Sequence, residues 1–318
     1  MDDFTVSQFK VGETYIGFLL VKSAEKRTSP KNGTQYVDMN LADRTGEINC
    51  KIWDGNATVP AVNSVVKVRG LVQEYNGRLQ FRIEQIRPAT QEDNVDMNRL
   101  SNSAPESAES MMRTVNDTVD SFKDDELKKL VREMLRLAGE ELNYYPAAQR
   151  MHHAERSGLL HHTTSMLAIA ESLVKVYTGL NRDLLLAGVV IHDLAKINEM
   201  HSDKLGNVAD YTADGQLIGH LVRGVVTLNK AAENTGVTGE IVLLLEHMLL
   251  SHHGESEYGS PKPPMFAEAE ALHWIDMMDA RMNSFQNVTE RTPAGAFSER
   301  IQSLERRVYH HSYGAEEK

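Results

Sequence analysis

One cysteine in 318 residues, Cys50, is the shortage with the widest reach. It excludes a disulfide within the chain and any zinc site built on several thiolates, and it points to a reducing, cytoplasmic compartment. Apolar runs long enough to cross a bilayer are also missing, so no membrane span or membrane partner is expected. The opening residues, "MDDFTVSQFK", lack an apolar core segment, and no secretory signal is expected there. Basic residues are scarce as well: 34 Lys and Arg face 45 Asp and Glu, a formal charge of -11. Phosphate binding needs cations, so this balance argues against a surface that binds nucleic acid all round. The deficit is uneven, because residues 1–90 hold 12 basic and 10 acidic residues and leave 22 and 35 for residues 91–318. Metal ligands and solvated helix faces both supply carboxylates, and the second part has room for either.

The chain is long enough for several domains. From Thr14 to Pro88 it reads as a strand meander: "TYIGFLLVKS", "TQYVDMNLAD", "GEINCKIWD", "SVVKVRGLVQEY" and "RLQFRIEQI" alternate apolar and polar residues. Turn chemistry separates them in "SPKNG", "DRTG" and "YNGR", the last a hairpin signal through Asn76-Gly77. Five short antiparallel strands predict a small all-β barrel of the OB type over residues 1–90, with an SH3-like barrel as the competing arrangement. Alternation places Val37, Met39, Leu41, Ile48, Cys50 and Ile52 inside. Tyr36, Lys51 and Trp53 then share the outer surface, where an aromatic pair beside a cation suits stacking on bases of a single strand. The plainer reading of Trp53 is that it closes the barrel end or packs on a neighbouring domain.

Residues 91–110 are polar and aperiodic and read as a linker. Helices follow. In "DDELKKLVREMLRLAG" an apolar stripe at i, i+3, i+4 runs to a stop at Gly139. From there the sequence reads as helical to Arg307, apart from loops at 201–217 and 254–264, so residues 111–310 are expected to form an all-α domain with a frayed tail at 311–318.

Most of the 13 histidines lie in that helical part. His161 and His162, His192 and Asp193, His220, then His247, His252 and His253, and finally Asp276 and Asp279 each stand on or at the end of an apolar helix. Any one histidine in such a place is ordinarily a satisfied core residue. Five clusters on converging helices ask for more. Imidazoles and carboxylates without thiolates suit manganese, iron, cobalt or zinc. His192 and Asp193 differ by about 100° around a helix, so they serve one centre only at a helix end or with Asp193 bridging two ions. Lys196 lies one turn further on, placed to meet a substrate phosphate or to pair with a carboxylate.

The order His162, His192-Asp193 with Lys196, then Asp276 resembles the HD-domain metal-dependent phosphohydrolases. The stretches "PAAQRMHHAERSGLLHHTTSM", "LLLAGVVIHDLAKINEM", "YTADGQLIGH", "LLEHMLLSHHGESEYGSP" and "EAEALHWIDMMDARM", behind an OB-type barrel, resemble the YhaM-type 3′-to-5′ exoribonucleases. The resemblance extends from the barrel through Met282. It implies His162, His192, Asp193 and Asp276 as core metal ligands, with His220, His252 and His253 completing a second ion's site. It also implies His153 on the substrate side and leaves His161 out, because relatives often have another residue there; His247 is expected to be a core histidine or one that supports the ligands from behind, and not a ligand. Ser157 stands where a second glycine is usual.

The activity so implied is hydrolysis of single-stranded RNA, with single-stranded DNA a further candidate, from the 3′ end to nucleoside monophosphates. Two divalent ions, manganese favoured, would serve it, with Asp193 and Lys196 at the reacting phosphate. A homo-oligomer is compatible with the sequence. Two rivals are an HD phosphohydrolase acting on nucleotides or cyclic dinucleotides with a regulatory barrel, and a non-catalytic nucleic-acid-binding protein. The acidic helical part favours the first; every expected ligand position being filled opposes the second.

Overall fold

Alternating side chains give five strands in a computed structural model that describes residues 4–29, 33–54, 57–149 and 153–314. They are β1 (Thr14–Thr28), β2 (Gln35–Asp43), β3 (Gly46–Ile52), β4 (Val65–Tyr75) and β5 (Arg78–Pro88), closed into a barrel in the order β1-β2-β3-β5-β4. β3 and β5 run parallel, and every other neighbouring pair is antiparallel. Val37, Met39, Leu41, Ile48, Cys50 and Ile52 fill the interior with Phe81. Asn76 and Gly77 turn β4 into β5 with positive φ of 52° and 74°. The middle of the "SPKNG" turn and residues 315–318 of the expected tail lie outside the described residues.

The chain divides into two compact units, Met1–Ser103 and Ala104–Lys318. Residues 91–103 belong with the barrel: they form short 3-10 turns, Arg44 N donates to Arg99 O at 2.9 Å, and Leu100 is buried.

The second unit opens with α1 (Ala108–Asp120) and α2 (Asp125–Ala138). Asp124 caps α2, accepting from Glu126 N and Leu127 N, and Gly139 ends it at φ 71°. Then come α3 (Gly158–Val176), α4 (Arg182–Ile191), α5 (Lys196–Glu199), the hairpin β6 (Met200–Ser202) and β7 (Val208–Tyr211), and α6 (Ala213–Leu217). α7 (Gly219–Thr235), α8 (Glu240–Ser251) and α9 (Ala267–Arg291) complete the helices. α4 is apolar all round from Leu184 to Ile191, and it is accordingly buried all round, against α3, α8 and α9. One expectation fails here. Helix ends at Arg291, and β8 (Ala296–Ile301) pairs with β9 (Arg306–His310) where helix to Arg307 was expected. The stretch alternates, burying Ser298 and Val308 between exposed neighbours, and period two prevails over its charge-rich composition.

The turn before α3 explains the serine that replaces a glycine. Ser157 sits in the left-handed region at φ 62°, and its Oγ donates to Asn143 O at 2.6 Å, an anchor that offsets the conformational cost. Gly158 has no such latitude, because a Cβ there would overlap the His153 carbonyl oxygen. Gly158→Ala is expected to cost about 1–3 kcal/mol as the turn shifts to make room. Denaturant unfolding measures it, and an unchanged midpoint would show that the turn yields freely.

Candidate active site

Both helices that deliver paired ligand candidates stop just before them. α4 ends at Ile191 and α8 at Ser251, so His192 and His252 stand at the helix C-termini, where carbonyls lack helical partners. Each ring turns back in the same way: His192 Nδ1 donates to Val189 O, and His252 Nδ1 to Leu249 O, both at 2.9 Å. A carbonyl only accepts, so each Nδ1 carries the proton and each Nε2 offers a lone pair. The other two rings follow the pattern with carboxylates: His162 Nδ1 is 2.7 Å from Asp279 Oδ2, and His220 Nδ1 is 3.0 Å from both oxygens of Glu199.

All four Nε2 atoms face one cluster. His162 Nε2 lies 3.3 Å from His192 Nε2 and 3.2 Å from Asp276 Oδ1. Asp193 stands between two donor sets. Its Oδ2 is 3.3 Å from His192 Nε2 and 3.8 Å from His162 Nε2, while its Oδ1 is 3.6 Å from His220 Nε2 and 3.7 Å from His252 Nε2. The His252 and His253 rings meet edge-on at 4.4 Å, which sets His253 beside His220 and His252. Thus every expected ligand, His162, His192, Asp193, His220, His252, His253 and Asp276, is gathered in one place, with Lys196 Nζ 2.7 Å from Asp193 Oδ2.

Asp193 Oδ1, His220 Nε2 and His252 Nε2 are buried without a hydrogen-bond partner. Polar atoms so placed are costly to leave unmet. Three of them converging, with lone pairs inward and no thiolate, is the donor chemistry of a divalent transition ion.

Charge follows the same geometry. Burial opposes the charged form of Asp193, but the Lys196 ammonium and His192 outweigh it and hold the carboxyl well below its usual range. Burial likewise opposes Lys196, and Asp193 more than compensates, so the amine stays an ammonium. Burial drives His252 down to about 3, keeping it neutral. Burial also works against a second proton on His162, yet Asp276 and Asp279 raise it to about 9, so without an ion Nε2 shares a proton with Asp276, which an ion bound there would displace while Nδ1 keeps its proton toward Asp279.

Several partners escaped the sequence reading. Asp279 accepts from His162, and its place three residues after Asp276 on α9 was the available signal. Glu199, which orients His220, lies one turn after Lys196. His153 is buried, with Nε2 2.7 Å from Asp279 Oδ2 and Nδ1 3.1 Å from His161 Nδ1. His161 in turn lies 2.8 Å from Glu155 Oε1. His247 points elsewhere, accepting from Met265 N at 3.0 Å.

On the barrel, Tyr36 and Trp53 stack at 4.8 Å, and Lys51 Nζ lies 5.0 Å from the Tyr36 ring centroid, 5.9 Å from that of Trp53 and 5.8 Å from that of Tyr75. Trp53 covers Tyr36, so Tyr36 is 9% exposed and Trp53 48%. The open ring faces are therefore those of Trp53 and of Tyr75, a residue the alternation argument passed over.

The comparisons with known proteins agree with both units. Residues 159–281 match the model of the HD domain, and residues 20–89 match that of an OB-fold nucleic acid binding domain. Fold and site define a divalent-metal-dependent phosphohydrolase of the HD class that carries an OB-fold domain. The chain is 40% identical over 308 residues to the 3′-5′ exoribonuclease YhaM of Geobacillus sp. (strain WCH70), covering 96% of this chain and 94% of that one. Its identity to the YhaM of Listeria monocytogenes serotype 4b (strain CLIP80459) is 41%, and to that of Bacillus subtilis (strain 168) 39%, each over 95% of this chain and 96% of the relative. The chain belongs to the YhaM family of 3′-5′ exoribonucleases.

Proposed function

We propose that this chain removes nucleotides one at a time from the 3′ end of single-stranded RNA, and also of single-stranded DNA, in the cytoplasm. The observation that carries the proposal is the convergence of Asp193 Oδ1, His220 Nε2 and His252 Nε2, buried and unpartnered, behind a domain of nucleic-acid-binding type. His162, His192, Asp193 and Asp276 would hold one divalent ion, and His220, His252 and His253 with Asp193 a second. Manganese is favoured, and iron, cobalt or zinc suits the same donors. Ions bound there supply Lewis acidity that lowers the pKa of water and offsets negative charge on the phosphate.

The residues do the rest. The backbone and carboxylate acceptors behind His162, His192, His220 and His252 lock the imidazoles in the Nε2 lone-pair form, so no tautomer change is needed at each turnover. Asp193 serves both donor sets with separate oxygens. Lys196 keeps a fixed positive charge beside it, to be shared with a phosphate oxygen. In the reaction a water oxygen bonds to the terminal phosphorus, the bond from phosphorus to the 3′ oxygen breaks, and that oxygen takes a proton. The products are a nucleoside monophosphate and a strand shorter by one.

A 5′-labelled, unstructured oligoribonucleotide tests this directly. A ladder descending by single nucleotides, abolished by chelator and restored by manganese, is expected. Internal cuts, or activity that persists in excess chelator, would defeat the proposal. The barrel's share is tested by length. Stacking on Trp53 contributes about 1–3 kcal/mol, so Trp53→Ala is expected to weaken binding of long strands roughly five-fold or more and to spare dinucleotides. Equal losses at every length would make Trp53 a structural residue. Size-exclusion chromatography with light scattering decides whether a homo-oligomer forms.

A further inference from the structure

Beside the cluster, and outside the ligand set above, His153, Glu155 and His161 bring three more ligand atoms together. His153 Nδ1 and His161 Nδ1 are 3.1 Å apart, and Glu155 Oε1 is 2.8 Å from the second and 3.7 Å from the first. The corresponding edges of the His162 Nε2, His192 Nε2 and Asp193 Oδ2 triangle are 3.3, 3.3 and 3.8 Å. A cation at about 2.0–2.2 Å, the length of zinc–imidazole and zinc–carboxylate bonds, reaches all three corners of either triangle from a point just off its plane.

The surroundings of the smaller triangle also match. His153 Nε2 lies 2.7 Å from Asp279 Oδ2, so the carboxylate takes the Nε2 proton and leaves Nδ1 as an acceptor that faces His161 and Glu155, with Asn283 Nδ2 at 3.4 Å from it. A carboxylate behind an imidazole is what fixes ring orientation and tautomer at metal sites. The turn that carries His153 is itself pinned: its backbone stands at φ 47°, its N–H donates to Asn283 Oδ1 at 3.0 Å, and its carbonyl accepts from Ala147 N at 3.1 Å. Glu155 and His161 are partly buried, with side-chain exposures of 14% and 23%, leaving the triad within reach of an ion from solvent.

We propose that His153, Glu155 and His161 form an additional divalent-metal site, separate from the main cluster and joined to it through the shared oxygen of Asp279. Its occupant is a first-row transition ion held by two imidazole nitrogens and one carboxylate, a donor set that leaves positions open for water or a phosphate oxygen. His161 binds through Nδ1. The neutral ring's single proton, which Nδ1 shares with Glu155 and His153 in the ion-free form, passes to Nε2 by exchange with solvent, so the ring keeps one proton.

The site is separable from the reaction assigned above, and so is its test. Crystals of the full chain grown with zinc as the only transition metal, measured at the zinc absorption edge, are expected to show an anomalous peak within bonding distance of His153 Nδ1, Glu155 Oε1 and His161 Nδ1. In solution, dialysed His161→Phe is expected to hold one zinc equivalent less than the wild type, and Glu155→Gln provides the same comparison should His161→Phe not fold. Peaks in the main cluster with none at the triad, or equal zinc in wild type and both variants, would overturn the proposal. A peak at the triad with none in the main cluster would sustain it and defeat the two-ion reading instead.

Discussion

Asp193→Asn is expected to lower turnover on single-stranded RNA more than about a thousandfold while the protein still folds. The magnitude follows from the several kcal/mol that metal ions contribute to stabilising a phosphoryl transition state, at about 1.4 kcal/mol for each factor of ten. Asp193 reaches both donor sets with separate oxygens, Oδ2 toward His162 and His192 and Oδ1 toward His220 and His252. Loss of its charge therefore weakens both sites at once. Asparagine is the better replacement than alanine, since it keeps the volume and an acceptor oxygen for Lys196, whereas alanine strands a buried ammonium. Metal content after dialysis, turnover and the thermal melt are the three measurements. Undiminished turnover with the same metal content would remove Asp193 from the site.

Lys196→Met should separate charge from ligation. Its ammonium, 2.7 Å from Asp193 Oδ2, is close enough to the donor sets to share its charge with a phosphate and offers them no lone pair. Removing such a fixed donor typically costs about a hundredfold to a thousandfold in turnover. The same loss is expected here, with metal content unchanged and little effect on binding of long strands, the part proposed above for the barrel. If the variant instead sheds metal, Lys196 acts by holding Asp193 in place.

The barrel was the more legible half, for a physical reason. A closed sheet buries one side of every strand, so period two runs unbroken through "YVDMNL" and "INCKI", and the turns announce themselves in Asn76-Gly77. The last hairpin is only two short strands packed beside a helix, and its half-buried period was masked by five charged residues from Glu299 to Arg307. At the site, the gathered residues share a visible property: each ionisable group stands at the end of an apolar run. Asp279 shared that mark without showing its role, and Glu199 lacked it, because a carboxylate that accepts from a histidine looks, along the chain, like any solvated one. Glu155 was passed over for the same reason, whereas His161 was left out because relatives often have another residue there. Their partners are close in number, but only the left-handed turn through His153 and Ser157 brings the three atoms face to face.

The three unmet atoms of the main cluster matter beyond the reaction. Each buried donor or acceptor without a partner costs about 1–3 kcal/mol, against a total of about 5–15 kcal/mol for a folded domain. An ion that binds only the folded form adds about 2.7 kcal/mol once its free concentration is a hundred times its dissociation constant. Metal supply would thus bear on the fraction of molecules that is folded as well as on turnover. Removal of the ion is expected to raise the protein's susceptibility to proteolysis, and limited digestion with and without chelator measures it.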